Sequence, residues 1–209
     1  MTLLAARTLA AAYDGRTIFA GLDLSLDAGT YALTGRNGTG KSTLLRLLSG
    51  AQRPSAGRVS IDGHDLVRDP IAARRRLSYV PDESPAYPFM TGAELLHLVS
   101  TARRAGPDPL VDELVTAFGL AAHLGARFDA ISLGTQKKLL LAAGWIGRPR
   151  VILLDEPSNA LDATARAALI ARIGADAAHD VILFASHDAE FVAETGATVI
   201  PLETLAAAA

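Results

Sequence analysis

The sequence predicts an α/β fold, in which helices pack on a mixed sheet core. Two runs of apolar and β-branched residues, 151–154 and 181–185, show no alternation with polar residues, which is typical of strands buried on both faces of a parallel sheet. A glycine-rich loop, 35–40, lies between a short apolar strand and a leucine-rich helix. Strand and helix patterns therefore alternate along the chain, and this order indicates the α/β class.

The other elements are predicted from periodicity and from the residues that end them. Residues 3–26 contain short apolar alternations broken by turn residues, so we expect several strands there and an antiparallel portion of the sheet core. The leucines of 41–48 have helical spacing, and Gly50 ends that helix. Residues 91–145 have a mainly helical pattern. Further short strands are predicted at 31–34, 59–61 and 77–80.

Composition and charge restrict the class of protein. The chain has 209 residues, of which 50% are hydrophobic, enough for the core of one domain. Its net charge is −2, so the chain lacks the surplus of basic residues that would indicate a nucleic-acid partner. The absence of cysteine excludes disulfides and thiolate metal sites. No apolar run approaches the roughly 20 residues of a membrane helix. The N-terminus also lacks the pattern of a secretory signal, so we expect a chain that is soluble by itself.

The glycine-rich loop matches the pattern of a phosphate-binding loop, with Gly35 and Gly40 followed by Lys41 and Ser42. Glycines allow backbone N–H groups to turn inward around an anion, and the start of the next helix adds free N–H groups. We expect Lys41 to reach the β- and γ-phosphates of a nucleotide and Ser42 to coordinate Mg²⁺, which prefers oxygen ligands. The alternative is a glycine-rich turn with an exposed lysine. The predicted nucleotide contacts in this segment are Asn37, Gly38, Thr39, Gly40, Lys41, Ser42 and Thr43.

Two acidic residues follow the buried strand 151–154 directly. The carboxyl ends of parallel strands form the edge where open α/β folds bind ligands, so Asp155 and Glu156 are expected there. Asp155 is predicted to hold Mg²⁺, and Glu156 to orient or deprotonate an attacking water. The alternative is a polar strand end that caps the next helix.

These motifs, with three further segments, resemble the nucleotide-binding subunits of ATP-binding cassette (ABC) transporters. Segment 131–136 is similar to the family's signature segment, 158–162 to its D-loop, and 185–188 contains a histidine placed like its switch histidine. Tyr13 stands where the family places an aromatic residue under adenine. The resemblance covers nearly the whole chain, and it implies a P-loop NTPase fold of the ABC ATPase type that binds ATP and Mg²⁺.

The resemblance also implies a domain plan and roles for the remaining residues. One ABC ATPase domain, 1–209, is expected to contain a RecA-like core with N-terminal antiparallel strands, formed by 1–82 and 148–209, and a helical subdomain with the signature segment, 83–147. His187 is expected to contact the γ-phosphate and hold the attacking water. Tyr13 is expected from the resemblance to stack on adenine, whereas a tyrosine considered by itself would more often be a sheet residue.

In the family, the signature residues face the nucleotide of a second subunit, with two ATP molecules between two cassettes. Ser132 and Gly134 are therefore expected to complete the γ-phosphate site of a partner cassette, in a homodimer or a mixed pair. A simpler role for Ser132 is to cap the helix that follows it, and the two roles are compatible.

The sequence departs from the family pattern at two places. Leu133 and Thr135 replace a glycine and a glutamine of the signature segment, so we expect altered packing around a working site. Asp82 stands where the family usually has a glutamine near Mg²⁺ and the attacking water. A carboxylate can still coordinate the cation but cannot donate a hydrogen bond, so a stronger dependence on Mg²⁺ is expected.

The function predicted from these features is ATP binding and hydrolysis that power a membrane transporter through ATP-driven dimerisation and reopening. The partner would be a separate transmembrane permease, which places the chain at the cytoplasmic, inner face of the cell membrane. The loop 83–90, which includes Pro85, Tyr87 and Phe89, is expected to meet that permease or to fold against its own subdomain. The motif variants suggest the exporter-type (ABC-2) branch. The alternatives are a soluble ABC-type ATPase with a non-membrane partner and a binding module without hydrolysis.

Overall fold

The computed structural model describes residues 1–13, 16–36, 38–83 and 88–206. The strands are β1 (Leu4–Tyr13), β2 (Arg16–Leu26), β3 (Gly29–Thr34), β4 (Ala56–Ile61), β5 (His64–Asp65), β6 (Leu77–Val80), β7 (Val151–Asp155), β8 (Val181–Ala185) and β9 (Thr198–Pro201). The helices are α1 (Lys41–Ser49), α2 (Pro70–Arg75), α3 (Gly92–Arg103), α4 (Pro109–Ala117), α5 (Leu133–Gly144), α6 (Ala163–Asp176), α7 (Ala189–Glu194) and α8 (Leu202–Ala206), with 3₁₀ turns at Ala121–His123 and Phe128–Ala130.

The strands form an antiparallel sheet and a parallel sheet. The antiparallel sheet has the order β2-β1-β4-β5, and the parallel sheet has the order β6-β7-β8-β3-β9. The α/β class and the combination of antiparallel and parallel strands agree with the sequence prediction. None of the helices in the described part of the chain is long and apolar enough to cross a lipid bilayer.

Some elements extend beyond their predicted limits or carried no signal in the sequence. Strand β4 begins at Ala56 rather than at 59, because its first residues are exposed and small or charged and so give no apolar pattern. The edge strand β9 is short and mostly exposed. The two-residue strand β5 and the one-and-a-half-turn helix α2 are too short for a periodic pattern to indicate them.

The parallel sheet is buried on both faces, and this explains the runs without alternation. Leu153 and Leu183 face a core shared with helix α1 and the antiparallel sheet. Their neighbours Ile152, Leu154 and Phe184 face the opposite core, which is shared with helices α3 to α6. Helices on both sides thus hold β7 and β8 in a fixed position. The division into a core, 1–82 and 148–209, and a helical subdomain, 83–147, remains a prediction.

The register of the central strands brings three chain segments to one edge of the sheet. Leu33 of β3 and Asp155 of β7 both pair with Ala185 at the end of β8. The backbone N–H of Glu156 donates to the carbonyl of Ala185 at 2.9 Å. The glycine-rich loop, the acidic pair and the segment that contains His187 therefore all leave the sheet at its carboxyl edge.

An ion pair fixes the chain directly after His187. Asp188 caps helix α7 by accepting from the N–H of Phe191 at 2.9 Å, and its other oxygen accepts from Arg166 of α6 at 2.5 Å. The hydrogen bond from Arg166 is the main reason that the pKa of Asp188 is lowered to about 2. The Arg166 guanidinium also lies over the Phe191 ring at 5.3 Å, so charge and packing hold α7 against α6.

We predict that Asp188→Asn destabilises the protein at neutral pH more than at acidic pH. Asparagine can still cap a helix, so the change mainly removes the charge that pairs with Arg166. The folded pKa lies below the value of about 3.9 in an unfolded chain, so the carboxylate stabilises the fold above about pH 4 and loses this effect as the pH falls toward 2. Thermal unfolding at pH 7 and pH 3 should show a smaller gap in Tm at pH 3.

The matched control is Glu113→Gln, which neutralises an exposed carboxylate on helix α4. This control should not reproduce the pH-dependent gap in Tm. A gap between wild type and Asp188→Asn that stays constant from pH 7 to pH 3 would show that the ion pair with Arg166 does not contribute through charge.

Candidate nucleotide-binding and active site

The glycine-rich loop has the backbone conformation of an anion-binding turn. Gly38 and Gly40 have φ angles of 79° and 107°, in the left-handed region that favours glycine. Space beside Gly38 is open, whereas a side chain at Gly40 would meet Ile18 and Phe19 at 3.0 Å. The Thr39 hydroxyl donates to the carbonyl of Arg36 at 2.8 Å and closes the turn. Asn37, also predicted as a nucleotide contact, lies outside the described residues.

Lys41 is turned into the loop that precedes it. Its side chain is buried, and Nζ donates to the carbonyl oxygens of Gly35 at 2.8 Å and Arg36 at 3.2 Å. An ammonium group has three N–H donors, so one remains for a further acceptor. A phosphate group placed in the loop would supply that acceptor and would also meet the free N–H groups at the start of α1.

Ser42 and Asp155 are in direct contact, although 113 residues separate them in the chain. The Ser42 hydroxyl donates to Oδ1 of Asp155 at 3.0 Å, and Asp155 is 4% exposed. Burial raises the pKa of Asp155, the hydrogen bond from Ser42 opposes this shift, and the charges of Asp82 and Glu156 add to it. Burial and the proximity of Asp155 also raise the pKa of Tyr79 to about 12. A hydroxyl and a desolvated carboxylate at this place match the oxygen ligands that Mg²⁺ prefers.

Glu156 and His187 form a pair at the same edge of the sheet. Oε2 of Glu156 lies 2.9 Å from Nδ1 of His187 and 3.3 Å from its backbone N–H. Glu156 has a φ of 46°, a left-handed conformation that is uncommon and unfavourable for a residue other than glycine. The strand end therefore directs this carboxylate to His187 at a cost in backbone strain.

Asp82 is held by Lys137, which the sequence did not single out, and by Asn159, which lies in the segment that resembles the D-loop. Its Oδ1 accepts from Nδ2 of Asn159 at 3.2 Å and lies 3.5 Å from Nζ of Lys137. Burial lowers the pKa of the Lys137 ammonium, and the nearby charges of Asp82, Asp155 and Glu156 oppose that shift. One signal for Lys137 was available, because it lies three and four residues before the buried Leu140 and Leu141 and so falls on the buried side of α5.

Most of these groups surround one open cavity of about 430 Å³. The structure thus brings the predicted phosphate-loop residues together with the acids and the histidine, which come from distant parts of the sequence. Arg46 is a lining residue that the sequence had not indicated, whereas Asn159 lies in the segment that resembles the D-loop. Among the described residues, the cavity is lined by Gly38, Gly40, Lys41, Ser42, Thr43, Arg46, Asp82, Glu156, Asn159 and His187.

The predicted signature residues do not belong to that lining. Ser132 is exposed and caps helix α5, because its Oγ accepts from the N–H of Thr135 at 3.1 Å. The Thr135 hydroxyl is 2.9 Å from the same oxygen, so the residue that replaces the usual glutamine supports this cap. Leu133 is 75% exposed beside it.

Gly134 has a reason to be glycine within its own chain. A Cβ atom at this position would lie 2.5 Å from the carbonyl oxygen of Ala160, a backbone atom that cannot move aside easily. The glycine therefore allows the segment that follows Glu156 to approach the start of α5. This close approach is independent of any second subunit.

Two other predicted contacts cannot be placed. Tyr13 is the last residue of β1, but its side chain, and with it the expected contact with adenine, lies outside the described residues. Residues 84–87, which include Pro85 and Tyr87 of the expected permease contact, are also outside them. Phe89, on the described side of that gap, is 63% exposed.

Comparison with known proteins gives a consistent result. Residues 19–159 match the family model described as ABC transporter. The chain is 34% identical over 187 residues to the cytochrome c biogenesis ATP-binding export protein CcmA 2 of Salmonella paratyphi A, covering 88% of this chain and 89% of that protein. It is 37% identical over 212 residues to the nickel import ATP-binding protein NikO of Rhodobacter capsulatus, covering 92% and 82%.

The fold is similar to that of a solved ATP-binding subunit of an ABC transporter, with a TM-score of 0.84 and 27% identity over 91% of this chain and 81% of that one. Relatives named for export and for import match at similar identity. These matches concern the ATP-binding subunit and do not favour one direction of transport. The chain therefore belongs to the ABC transporter family and is an ATP-binding, ATP-hydrolysing subunit of that family.

Proposed function

We propose that this chain hydrolyses Mg²⁺-ATP in the cavity beside the glycine-rich loop and thereby powers a membrane transporter. The observation that carries the proposal is the convergence of the Ser42–Asp155 contact and the Glu156–His187 pair on that loop. The first contact suits a magnesium ion and the second suits an attacking water, and both adjoin the place where phosphates would lie.

The phosphates would be held mainly by the backbone and by one lysine. The N–H groups of the loop and of the first turn of α1 would donate to a phosphate placed in the loop, and the helix dipole would add a favourable potential. The third N–H donor of Lys41 is available to the β- and γ-phosphates. Thr43, which lines the cavity, would contact the α-phosphate.

Mg²⁺ would be held by Ser42 and Asp155, with Asp82 close by. When bound, the ion neutralises charge on the phosphate oxygens during transfer. Within the described residues, no group of three or more acidic, histidine or cysteine side chains is arranged to hold a metal ion alone. Magnesium ions at nucleotide sites usually keep water and substrate phosphates as their other ligands.

The Glu156–His187 pair would orient and activate the attacking water. An ionised carboxylate can only accept hydrogen bonds, so the hydrogen between the two side chains belongs to Nδ1 of His187. A neutral His187 offers Nε2 as an acceptor on the side of the ring away from Glu156, while a water that donates to the other oxygen of the Glu156 carboxylate would direct its oxygen lone pair at the γ-phosphorus. A doubly protonated ring would instead donate from Nε2 to the γ-phosphate.

A second cassette would complete the site. Ser132 is exposed, and neither it nor Gly134 is part of the described lining of the cavity of its own chain. The start of α5, capped by Ser132, is a suitable place for a γ-phosphate that approaches from another subunit. In a two-fold dimer the same surface would serve both nucleotides. ATP would then close the dimer, and hydrolysis would allow it to open.

The motion would be passed to a separate permease at the inner face of the cell membrane. The chain itself has no membrane-spanning helix within the residues that the structure describes. We place the permease contact at the loop 83–90, because it directly follows Asp82, which touches the catalytic cavity. An opening or closing of the site would therefore act on the chain at Asp82, directly before the proposed contact.

We predict that Glu156→Gln abolishes most hydrolysis but leaves ATP binding intact. Glutamine keeps the size of the side chain and can still accept from His187, but it cannot take a proton from water. The expected loss in kcat is on the order of 10²- to 10⁴-fold, as for removal of a general base. Phosphate release would measure hydrolysis, and isothermal titration with ATP and Mg²⁺ would measure binding.

The control is Glu190→Gln, which makes the same change at an exposed position on α7. Its kcat should stay within about twofold of wild type. Hydrolysis by Glu156→Gln at the rate of the control would remove Glu156 from the mechanism.

We predict that two inactive variants restore activity when they are mixed, if the site is shared between subunits. Lys41→Met would disable the phosphate loop, and Ser132→Asp would keep the cap of α5 while placing a negative charge against the phosphate of the partner. A mixed dimer would contain one site with Lys41 and Ser132 both intact. Hydrolysis by wild type should also rise more than linearly with protein concentration.

The mixing experiment uses Ser132 rather than Gly134, because a change at Gly134 would clash with Ala160 within the same chain. The reference sample is each variant alone at the total protein concentration of the mixture. A mixture no more active than its components, together with linear activity from a persistent monomer, would overturn the shared site but not the roles of Lys41 and Ser42.

A further inference from the structure

Lys137 is a buried lysine that the roles described so far do not use. It lies in the second turn of α5, one turn after the exposed Ser132, and is only 4% exposed. Burying an ammonium group is unfavourable unless it is paired and hydrogen-bonded. Its contacts should therefore explain why the chain keeps a charge there.

The ammonium of Lys137 joins the ends of two neighbouring strands. Nζ donates to the carbonyl oxygens of Asp155 at 2.9 Å and Pro81 at 3.2 Å, and it lies 3.5 Å from both the carbonyl and Oδ1 of Asp82. Asp155 ends β7, while Pro81 and Asp82 follow β6, its parallel neighbour. A side chain of α5 thus fixes the backbone on which two of the acidic groups are carried.

The charges around Lys137 are unbalanced without it. Asp82, Asp155 and Glu156 all interact with its ammonium, and two of them, Asp82 and Glu156, line the cavity beside the glycine-rich loop. Asn159, the other partner of Asp82, is neutral. Without Lys137, the carboxylate of Asp82 would lie near those of Asp155 and Glu156, and among the described residues no cationic side chain would be in contact with it.

We propose that Lys137 is a positioning residue for hydrolysis, whose ammonium pairs with Asp82 and allows an aspartate to stand beside Asp155 and Glu156 in a productive arrangement. The inference rests on the proposed function, in which Asp155 and Glu156 act on Mg²⁺-ATP. It makes Asp82 and Lys137 one unit, so the two residues should depend on each other energetically.

A structural role alone gives a different expectation. The hydrogen bonds from Lys137 to the carbonyls of Pro81 and Asp155 do not involve the side chain at position 82. If only these bonds mattered, loss of Lys137 would cost the same whether position 82 carried aspartate or glutamine. A double-mutant cycle between the two positions separates the two expectations.

The experiment compares wild type, Lys137→Met, Asp82→Gln and the double variant as full-length chains at one protein concentration. We expect Lys137→Met to lower kcat at least about tenfold when Asp82 is present, and less than about threefold in the Asp82→Gln background. KM for ATP should change little, because the phosphate loop is intact. Binding of ADP without Mg²⁺, measured by isothermal titration, should stay within about twofold of wild type in all four proteins.

Two further variants test the charge itself. Lys137→Arg keeps a cation at the helix and should recover part of the lost kcat, whereas Lys137→Gln keeps a donor without the charge and should not. Arg74→Met removes one positive charge from an exposed position on α2 and controls for net charge. Equal losses from Lys137→Met in both backgrounds, or a loss confined to KM, would overturn the proposal.

Chemical unfolding of the same four proteins without nucleotide provides a readout that does not depend on hydrolysis. The destabilisation by Lys137→Met should be smaller in the Asp82→Gln background, and additive effects would contradict the pairing. If Lys137→Met alone is insoluble, the double variant should recover soluble protein, and its failure to do so would also count against the pairing. Absence of hydrolysis in wild type would refute the proposed function instead, while the unfolding cycle would still decide whether Lys137 and Asp82 are energetically coupled.

Discussion

The register of β3, β8 and β7 is the constraint on which the site depends. Because Leu33 and Asp155 both pair with Ala185, the loop after β3, the acids after β7 and the histidine after β8 leave the sheet at the same level. A shift of one residue in β7 would turn Asp155 into the other core and expose a leucine at the edge. Cores on both faces of the sheet oppose such a shift, since β7 is fully buried along its length.

The sequence predicted the parts of the site that lie within one continuous motif. The glycine spacing around Lys41 and the acids after an apolar strand are local patterns with a direct physical meaning. The contact between Ser42 and Asp155 is not local, but it follows once both are placed at the carboxyl edge of one parallel sheet. This is why the fold class and most of the cavity lining could be predicted together.

The remaining lining residues could not be predicted because their roles depend on how separate segments pack. Asn159 falls in the segment that resembles the D-loop, but its place in the cavity lining and its bond with Asp82 depend on how that segment packs. Gly134 is informative in the opposite way, because the sequence relates it to a partner subunit while the structure shows a contact within the chain, at Ala160. One glycine can meet both demands, since both require the absence of a side chain.

The substitution at position 82 acquires a different meaning once its neighbours are known. Taken from the sequence, Asp82 is a third acid near Asp155 and Glu156 that can coordinate Mg²⁺ but cannot donate a hydrogen bond. In the structure it lies against a buried ammonium group and the amide of Asn159, so part of its charge is already compensated before any cation binds. A departure from a family pattern is therefore best judged together with the residue that faces it.

Helix α5 links these observations, because its first residues and the residues of its next turn have different surroundings. Ser132 at its start is exposed, on the surface proposed to meet a second subunit, while Lys137 in the next turn reaches the strand ends that carry Asp155 and Asp82. A helix is stiff over so short a distance, so a nucleotide that displaced its start would also shift Lys137 relative to the groups it contacts. Closure of the proposed dimer on Ser132 would thus change the positions of Asp82 and Asp155 in the same chain, because the first turns of α5 connect them rigidly to Ser132.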